Sequence, residues 1–361
     1  MDYAQKNPVP LPKSGTHQKV AATIDSVFDW EYALKEKKLL ALYEKGKALN
    51  WNATELDWSI DVDIEKTAGD NIEDFFNHAL KAPRTMSRKD AMDFHVHSNA
   101  FMLSQFLHGE QGALVAAAKI VQTVPSEEAK FYAASQVADE ARHVEVYHRY
   151  LTEKLGVSYE VHPSLRVLLQ DILTDTRWDV TYLGMQIMVE GLALAAFGMM
   201  RLIMASEPLI QDITTRIMAD EARHVAFGVI SLNDLYTNQL SDKERGEREE
   251  FIIEATNLLY DRLVQQPVFE RLGWDTKLWT DWSKTTPMHQ GFRQMMFSKI
   301  VPNLRRLGML TPRVREAMAK LDLLRFEHGE DSVEQPEIAP PAELVQRLMS
   351  SLASAQPASA E

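Results

Sequence analysis

Two stretches of the chain spell the same seven residues, ADEARHV, at Ala138–Val144 and again at Ala219–Val225, 81 positions apart. Each contains Glu-x-x-His: Glu140 with His143, and Glu221 with His224. Residues three apart on a helix share a face, so each pair projects a carboxylate and an imidazole in one direction. That is a chelating pair for a metal ion. The chain has no cysteine, so sulfur is excluded and any metal must be held by carboxylate and imidazole.

Each motif has a partner glutamate upstream. Glu110, in FLHGEQGALVAAA, precedes Glu140 by 30 residues, and Glu190, in QIMVEGLALAAF, precedes Glu221 by 31. The midpoint of the first pair is Pro125 and that of the second falls beside Ser206, both at expected turns. In an antiparallel helix pair, positions equidistant from the turn lie at one depth, here about 22 Å from it at 1.5 Å per residue. Two such hairpins packed face to face bring four carboxylates and two imidazoles to one point. Without cations the carboxylates would repel one another and suffer desolvation; two divalent cations resolve both problems. Oxygen and imidazole ligands suit iron or manganese at two adjacent sites.

On these residues, from Ser87 to about Leu235, the chain resembles the ferritin-like superfamily of di-iron carboxylate oxidases and oxygenases. That superfamily includes the ribonucleotide reductase small subunit, bacterial multicomponent monooxygenases and acyl-carrier-protein desaturases. The resemblance implies that Glu110, Glu140 and His143 hold one metal and Glu190, Glu221 and His224 the other, with Glu140 and Glu221 bridging. It implies two iron ions, or a manganese–iron pair, with dioxygen as co-substrate. It also implies that Asp139 and Asp220 accept hydrogen bonds from the non-ligating nitrogens of the histidines. Arg142 and Arg223 are expected in salt bridges near the site.

Steps of 100° around each ligand give the residues sharing its face. They are Leu103, Phe106, Leu107, Ala113, Leu114 and Ala117 around Glu110, and Leu183, Gln186, Ala193, Leu194 and Phe197 around Glu190. Ile217 and Gly228 join them on the fourth helix. This lining is apolar with several small residues, which fits chemistry on a small apolar molecule. Tyr147, four residues after His143, has the spacing of the radical-bearing tyrosine in the reductase small subunit. It is either redox-active or a core tyrosine hydrogen-bonded near the site.

The chain departs from each subfamily. It has Glu110 where the reductase small subunit usually has Asp, a shorter gap from His143 to Glu190, and no tyrosine after Tyr260. Ala193 and Leu194 stand where monooxygenases and desaturases usually carry Thr, and Ile217 where arylamine N-oxygenases carry a further His. Hydroxylation, N-oxygenation and desaturation are all compatible with the residues. A radical-generating or ligand-binding oxidase using Tyr147, and a non-enzymatic iron-handling protein, are the alternatives.

The elements that must position these residues read as helices throughout, so the expected fold is all-α: a ferritin-like four-helix bundle with flanking helices. A helix is expected from Phe28 to about Lys47, followed by the Trp-bearing loop NWNATELDWSIDVDIE. Ser87 with Asp90, then Ser126, read as N-caps of the first two core helices. A third helix spans about Ser164–Ala205, in one or two pieces, and a fourth restarts near Ser206 and Pro208 and runs to about Leu235. SDKE at Ser241–Glu244 is a capping box. The expected organisation is a flexible segment 1–25, one helical domain 26–328 with its metal-binding core at about 87–237, and a Pro/Ala/Glu-rich tail 329–361.

Composition narrows the partners. Apolar residues make up 45% and charged residues 25%, an ordinary globular balance, while a net charge of −13 argues against a nucleic-acid backbone as partner. Tyr182–Ala205 is long and apolar enough for a membrane, but Gln186, Glu190 and Arg201 make it a buried bundle helix instead. With no apolar N-terminal run, a cytoplasmic protein is expected. No glycine-rich dinucleotide fingerprint occurs, so electrons for an oxygenase must come from an external reductase or ferredoxin. Lys299–Lys320, with six basic residues and only Glu316 against them, is either a docking surface for that donor or a solvated helix face. A homodimer is what the resemblance implies.

Overall fold

A computed structural model describes residues 18–30, 32 and 34–333. The outer parts of both expected tails, 1–17 and 334–361, lie outside the described residues. Among the described residues every regular element is helical. The first helix, α1, is Lys37–Ala48. It begins nine residues later than expected, because the chain before it lies irregularly against the turn of the first hairpin. There the Val27 N–H donates to the Gln122 carbonyl at 2.9 Å, and the Glu36 N–H donates to Glu128 Oε1 at 2.8 Å. These tertiary partners satisfy backbone donors along the irregular segment.

Four long elements form the bundle. Ser87 caps α2 (Arg88–Thr123) by accepting from the Asp90 N–H, and Ser126 caps α3 (Glu127–Arg149) by accepting from the Ala129 N–H. The chain then widens into π turns over Tyr150–Leu155 and stops at Gly156, whose φ of 63° is left-handed. The third expected helix is two: α4 (Pro163–Thr174) and α5 (Trp178–Ile203). At the break the Lys119 ammonium donates to the carbonyls of Ile172 at 3.0 Å and Leu173 at 3.2 Å, satisfying the end of α4. Glu207 caps α6 (Pro208–Asp234), its carboxylate accepting from the Leu209 and Ile210 N–H groups. The capping box of Ser241 and Glu244 opens α7 (Asp242–Asp261). Shorter helices follow: α8 (Gln266–Arg271), α9 (Thr276–Thr285), α10 (Pro287–Met296), α11 (Ile300–Arg306) and α12 (Pro312–Lys320).

The pairs α2/α3 and α5/α6 pack antiparallel and meet face to face, with α1 across α3 and α6, and α7 behind α4 and α5. One continuous apolar core runs from Leu39 to Leu323. Helix α5 is long and apolar enough to cross a membrane, but 94% of its most apolar window is buried inside the protein. Its close packing needs two glycines. A Cβ at Gly184 would lie 2.5 Å from the Ile172 side chain on α4, and one at Gly228 on α6 would lie 2.5 Å from the Gln186 Cβ on α5. The chain has the ferritin-like helical fold.

Candidate metal centre

Helix α2 supplies Glu110, α3 supplies Glu140 and His143, α5 supplies Glu190, and α6 supplies Glu221 and His224. All six side chains are buried. They form two overlapping groups able to hold metal ions: Glu110, Glu140, His143 and Glu221, and Glu140, Glu190 and His224. His143 Nδ1 faces Glu110 Oε2 at 3.4 Å, Glu140 Oε2 at 3.3 Å and Glu221 Oε1 at 3.1 Å. His224 Nδ1 faces Glu140 Oε1 at 3.1 Å and Glu221 Oε1 at 3.5 Å. Glu140 and Glu221 therefore reach both imidazoles, the placement a bridging carboxylate needs.

The second nitrogen of each ring is held across the bundle. His143 Nε2 donates to Asp220 Oδ2 at 3.1 Å, and His224 Nε2 donates to Asp139 Oδ2 at 3.2 Å. Each aspartate belongs to the other motif's helix, so the two copies lock one another. This fixes the tautomer and leaves both Nδ1 atoms for a metal. Arg142 pairs with Asp139 and lies 3.6 Å from Asp220, while Arg223 pairs with Asp220 and lies 3.7 Å from Asp139. Six carboxylates thus face two guanidiniums, and the four remaining negative charges match two divalent cations with neutral imidazoles.

The protonation tendencies carry the same mark. Burial, followed by the Glu221 charge, raises the Glu110 carboxyl well above its ordinary range; burial, Glu221 and Glu140 do the same to Glu190. Burial opposes charge on both imidazoles, yet the surrounding carboxylates outweigh it and hold His143 and His224 well above the usual histidine value. Burial likewise opposes the Glu140 carboxylate, but the two histidines outweigh it and keep this group ionised. Protons therefore take the place that cations would occupy. Glu140 Oε2, Glu190 Oε2 and both oxygens of Glu221 are buried without a hydrogen-bond partner among the described residues. Such orphaned acceptors fit metal ligands.

The lining divides. Phe106 and Phe197 pack with ring centroids 4.7 Å apart, and Phe106 lies 5.8 Å from the Tyr147 ring. Leu103, Ala113, Ala117, Leu183, Gln186, Leu194, Ile217 and Gly228 are also buried. Leu107, Leu114 and Ala193 keep part of their surface outside. Leu107 and Leu114 share one flank, about 40–60° from Glu110 at 100° per residue, so the buried face of α2 is centred on the other flank. The Tyr147 hydroxyl is fully buried and has no hydrogen-bond partner among the described residues.

Several residues of the site were not among the expected ones. Trp51, in the Trp-bearing loop, donates from Nε1 to Asp220 Oδ2 at 2.8 Å, with the Arg142 and Arg216 guanidiniums over its ring. Gln136, four residues before Glu140 and so on its stripe, donates from Nε2 to Glu140 Oε1 at 3.0 Å and Glu190 Oε1 at 2.9 Å. Its own carbonyl accepts from Gln186 at 3.4 Å. Tyr132 lies 6.4 Å from the His224 ring. Leu183–Val189, immediately before Glu190, is a π-helical stretch of α5; such widened turns recur at functional sites. Only the i−4 spacing of Gln136 carried a readable signal.

No protein-family model matches the chain, and no curated protein matches it by sequence. Among solved structures it is similar to three point mutants of R2-like ligand-binding oxidases, each with anaerobically reconstituted Mn/Fe cofactor. One shares 14% identity at a TM-score of 0.51, over 76% of this chain and 94% of that one. The second shares 16% identity at 0.50, over 76% and 94%. The third shares 15% at 0.50, over 75% and 93%. At these identities the likeness shows the fold.

Proposed function

We propose that the chain is a di-iron-dependent oxidoreductase of the oxygenase class. In this reading it uses dioxygen as co-substrate to oxidise a small apolar organic molecule, by hydroxylation, N-oxygenation or desaturation, with electrons from a separate reductase or ferredoxin. The observation that carries it is the buried set of four glutamates and two histidines, with orphaned carboxylate oxygens and a charge that two divalent cations would balance. Oxygen and imidazole donors suit an iron pair or a manganese–iron pair; a reduced pair held here would supply the electrons that activate dioxygen.

The chain's own residues have definable tasks. Glu110 and Glu190 would be terminal ligands of a bound metal pair, and Glu140 and Glu221 would serve both positions. Asp139 and Asp220 hold the imidazoles in register, and Gln136 holds Glu140 and Glu190 together. Phe106, Phe197 and the buried face of α5 exclude water from the ligands.

A second reading has a specific observation behind it. The Tyr147 hydroxyl is buried, unpartnered and within the field of Glu110 and His143, which suits a one-electron donor in a radical-generating oxidase. Turnover of iron-loaded protein with a chemical reductant, labelled dioxygen and a panel of apolar compounds separates these readings. Label in an organic product is the expected result, or, for desaturation, product formed with matched dioxygen uptake. A radical signal lost in Tyr147→Phe, without product, would favour the second reading. Iron oxidation with neither product nor radical would leave a metal-handling protein.

A further inference from the structure

Beyond the metal centre the fold builds a second feature that its ligands do not use. A cavity of about 670 Å³ lies at one end of the bundle, within the range of small-molecule sites. Its wall combines the first turns of α2, the end of α5, the 67–80 segment and helices α8 to α10. Six aromatic side chains line it: Phe75, Phe76, Phe94, Phe269, Trp282 and Phe292.

The polar part of the wall has a definite sign. Asp70 and Asp74 line the cavity, and no lysine or arginine does. Two imidazoles also line it, His95 and His289. Burial pushes His95 down to about 4, and burial with the Arg293 and Lys284 charges does the same to His289, so both are uncharged at neutral pH. His289 Nε2 is buried with no hydrogen-bond partner among the described residues. None of the basic groups nearby lines the cavity. Arg293 donates to the Tyr260 hydroxyl and to the Lys284 carbonyl at 3.0 Å, while Arg88 contacts the Asp70 carbonyl and Glu73. An anion in this cavity would meet two carboxylates and no lysine or arginine in its wall. A cation would meet those carboxylates and the faces of aromatic rings.

The geometry points to this cavity as the binding site for an apolar molecule carrying an amine, with a neutral hydroxyl compound as a weaker ligand and a carboxylate excluded. Met102 and Met199 also line the cavity. Met102 lies eight residues before Glu110 on α2, about 12 Å along the helix, and Phe106, between the two in sequence, packs against Phe197. That the occupant is the substrate of the metal centre rests on the function proposed above; that the cavity binds it does not.

The test is calorimetric titration of the full chain, kept anaerobic so that nothing turns over, with decylamine, decanol and decanoate at neutral pH. The expected order is amine, then alcohol, then carboxylate, with the amine at least about tenfold tighter than the carboxylate. Leu202→Trp, at the partly exposed rim, should weaken all binding, and Asp70→Asn with Asp74→Asn should remove the preference for amine over alcohol. Circular dichroism unchanged from the parent chain shows that these variants fold. Decanoate binding as tightly as the amine, no binding by any of the three, or binding indifferent to both variants would overturn the assignment. Because no turnover is read, failure here leaves the metal reading standing, and absence of iron chemistry leaves the binding result intact.

Discussion

The two halves of the candidate metal centre carry the same seven-residue motif but differ in what surrounds it. In the His143 half, α2 runs unbroken past Glu110, Tyr147 lies alongside, and Asp220 also accepts from Trp51, whose ring sits under two guanidiniums. In the His224 half, Glu190 follows a π-helical stretch, and the Gln136 amide ties Glu190 to Glu140. The repeated motif makes the ligand set nearly symmetric; the unrepeated residues make the two positions inequivalent. The His143 position is linked by hydrogen bonds toward the outer loop, and the His224 position is enclosed by amides and by Tyr132.

That contrast can be broken in graded steps. The largest effect is expected from the crossed aspartates. Asp220→Asn should disorder the ring of His143, and Asp139→Asn that of His224, each weakening one metal position by about 10–100-fold. Metal titration followed by absorbance should show one tight and one weak equivalent in each variant, with opposite halves affected. Equal loss from both halves would mean that the crossing does not separate the positions. A smaller effect, about tenfold or less, is expected from Gln136→Leu, confined to the position held by Glu190. If that variant weakens the Glu110 position instead, the amide has another role.

The symmetric part of this arrangement was legible and the asymmetric part was not, for physical reasons. Glu-x-x-His and its upstream glutamate are local on a helix, and their equal distances from Pro125 and Ser206 convert sequence spacing into depth. The capping signals at Ser87, Ser126 and Ser241 are equally local, and all three hold. The π-helical stretch escaped because α5 is apolar on almost every side, so a change from 3.6 residues per turn leaves no trace in its pattern. Trp51 sits in a loop, and only tertiary packing carries it to Asp220. The helix expected from Phe28 starts late for a related reason: the Glu36 N–H finds Glu128 across the chain. The cavity is assembled from parts of two long helices, three short ones and the 67–80 segment, and no single segment announces it.

The most direct test of the central claim is anaerobic titration of the chain with ferrous iron, counting metal and released protons together. In the metal-free site the neighbouring carboxylates favour protons on His143 and His224, and burial with neighbouring charge favours them on Glu110 and Glu190. Loading should therefore release protons, and affinity should rise as pH rises because cations and protons compete. The predicted result is about two irons per chain with proton release, both lost in Glu140→Ala. Equal, negligible iron binding by the parent chain and the variant would contradict it, and would make the repeated ADEARHV a device for packing helices.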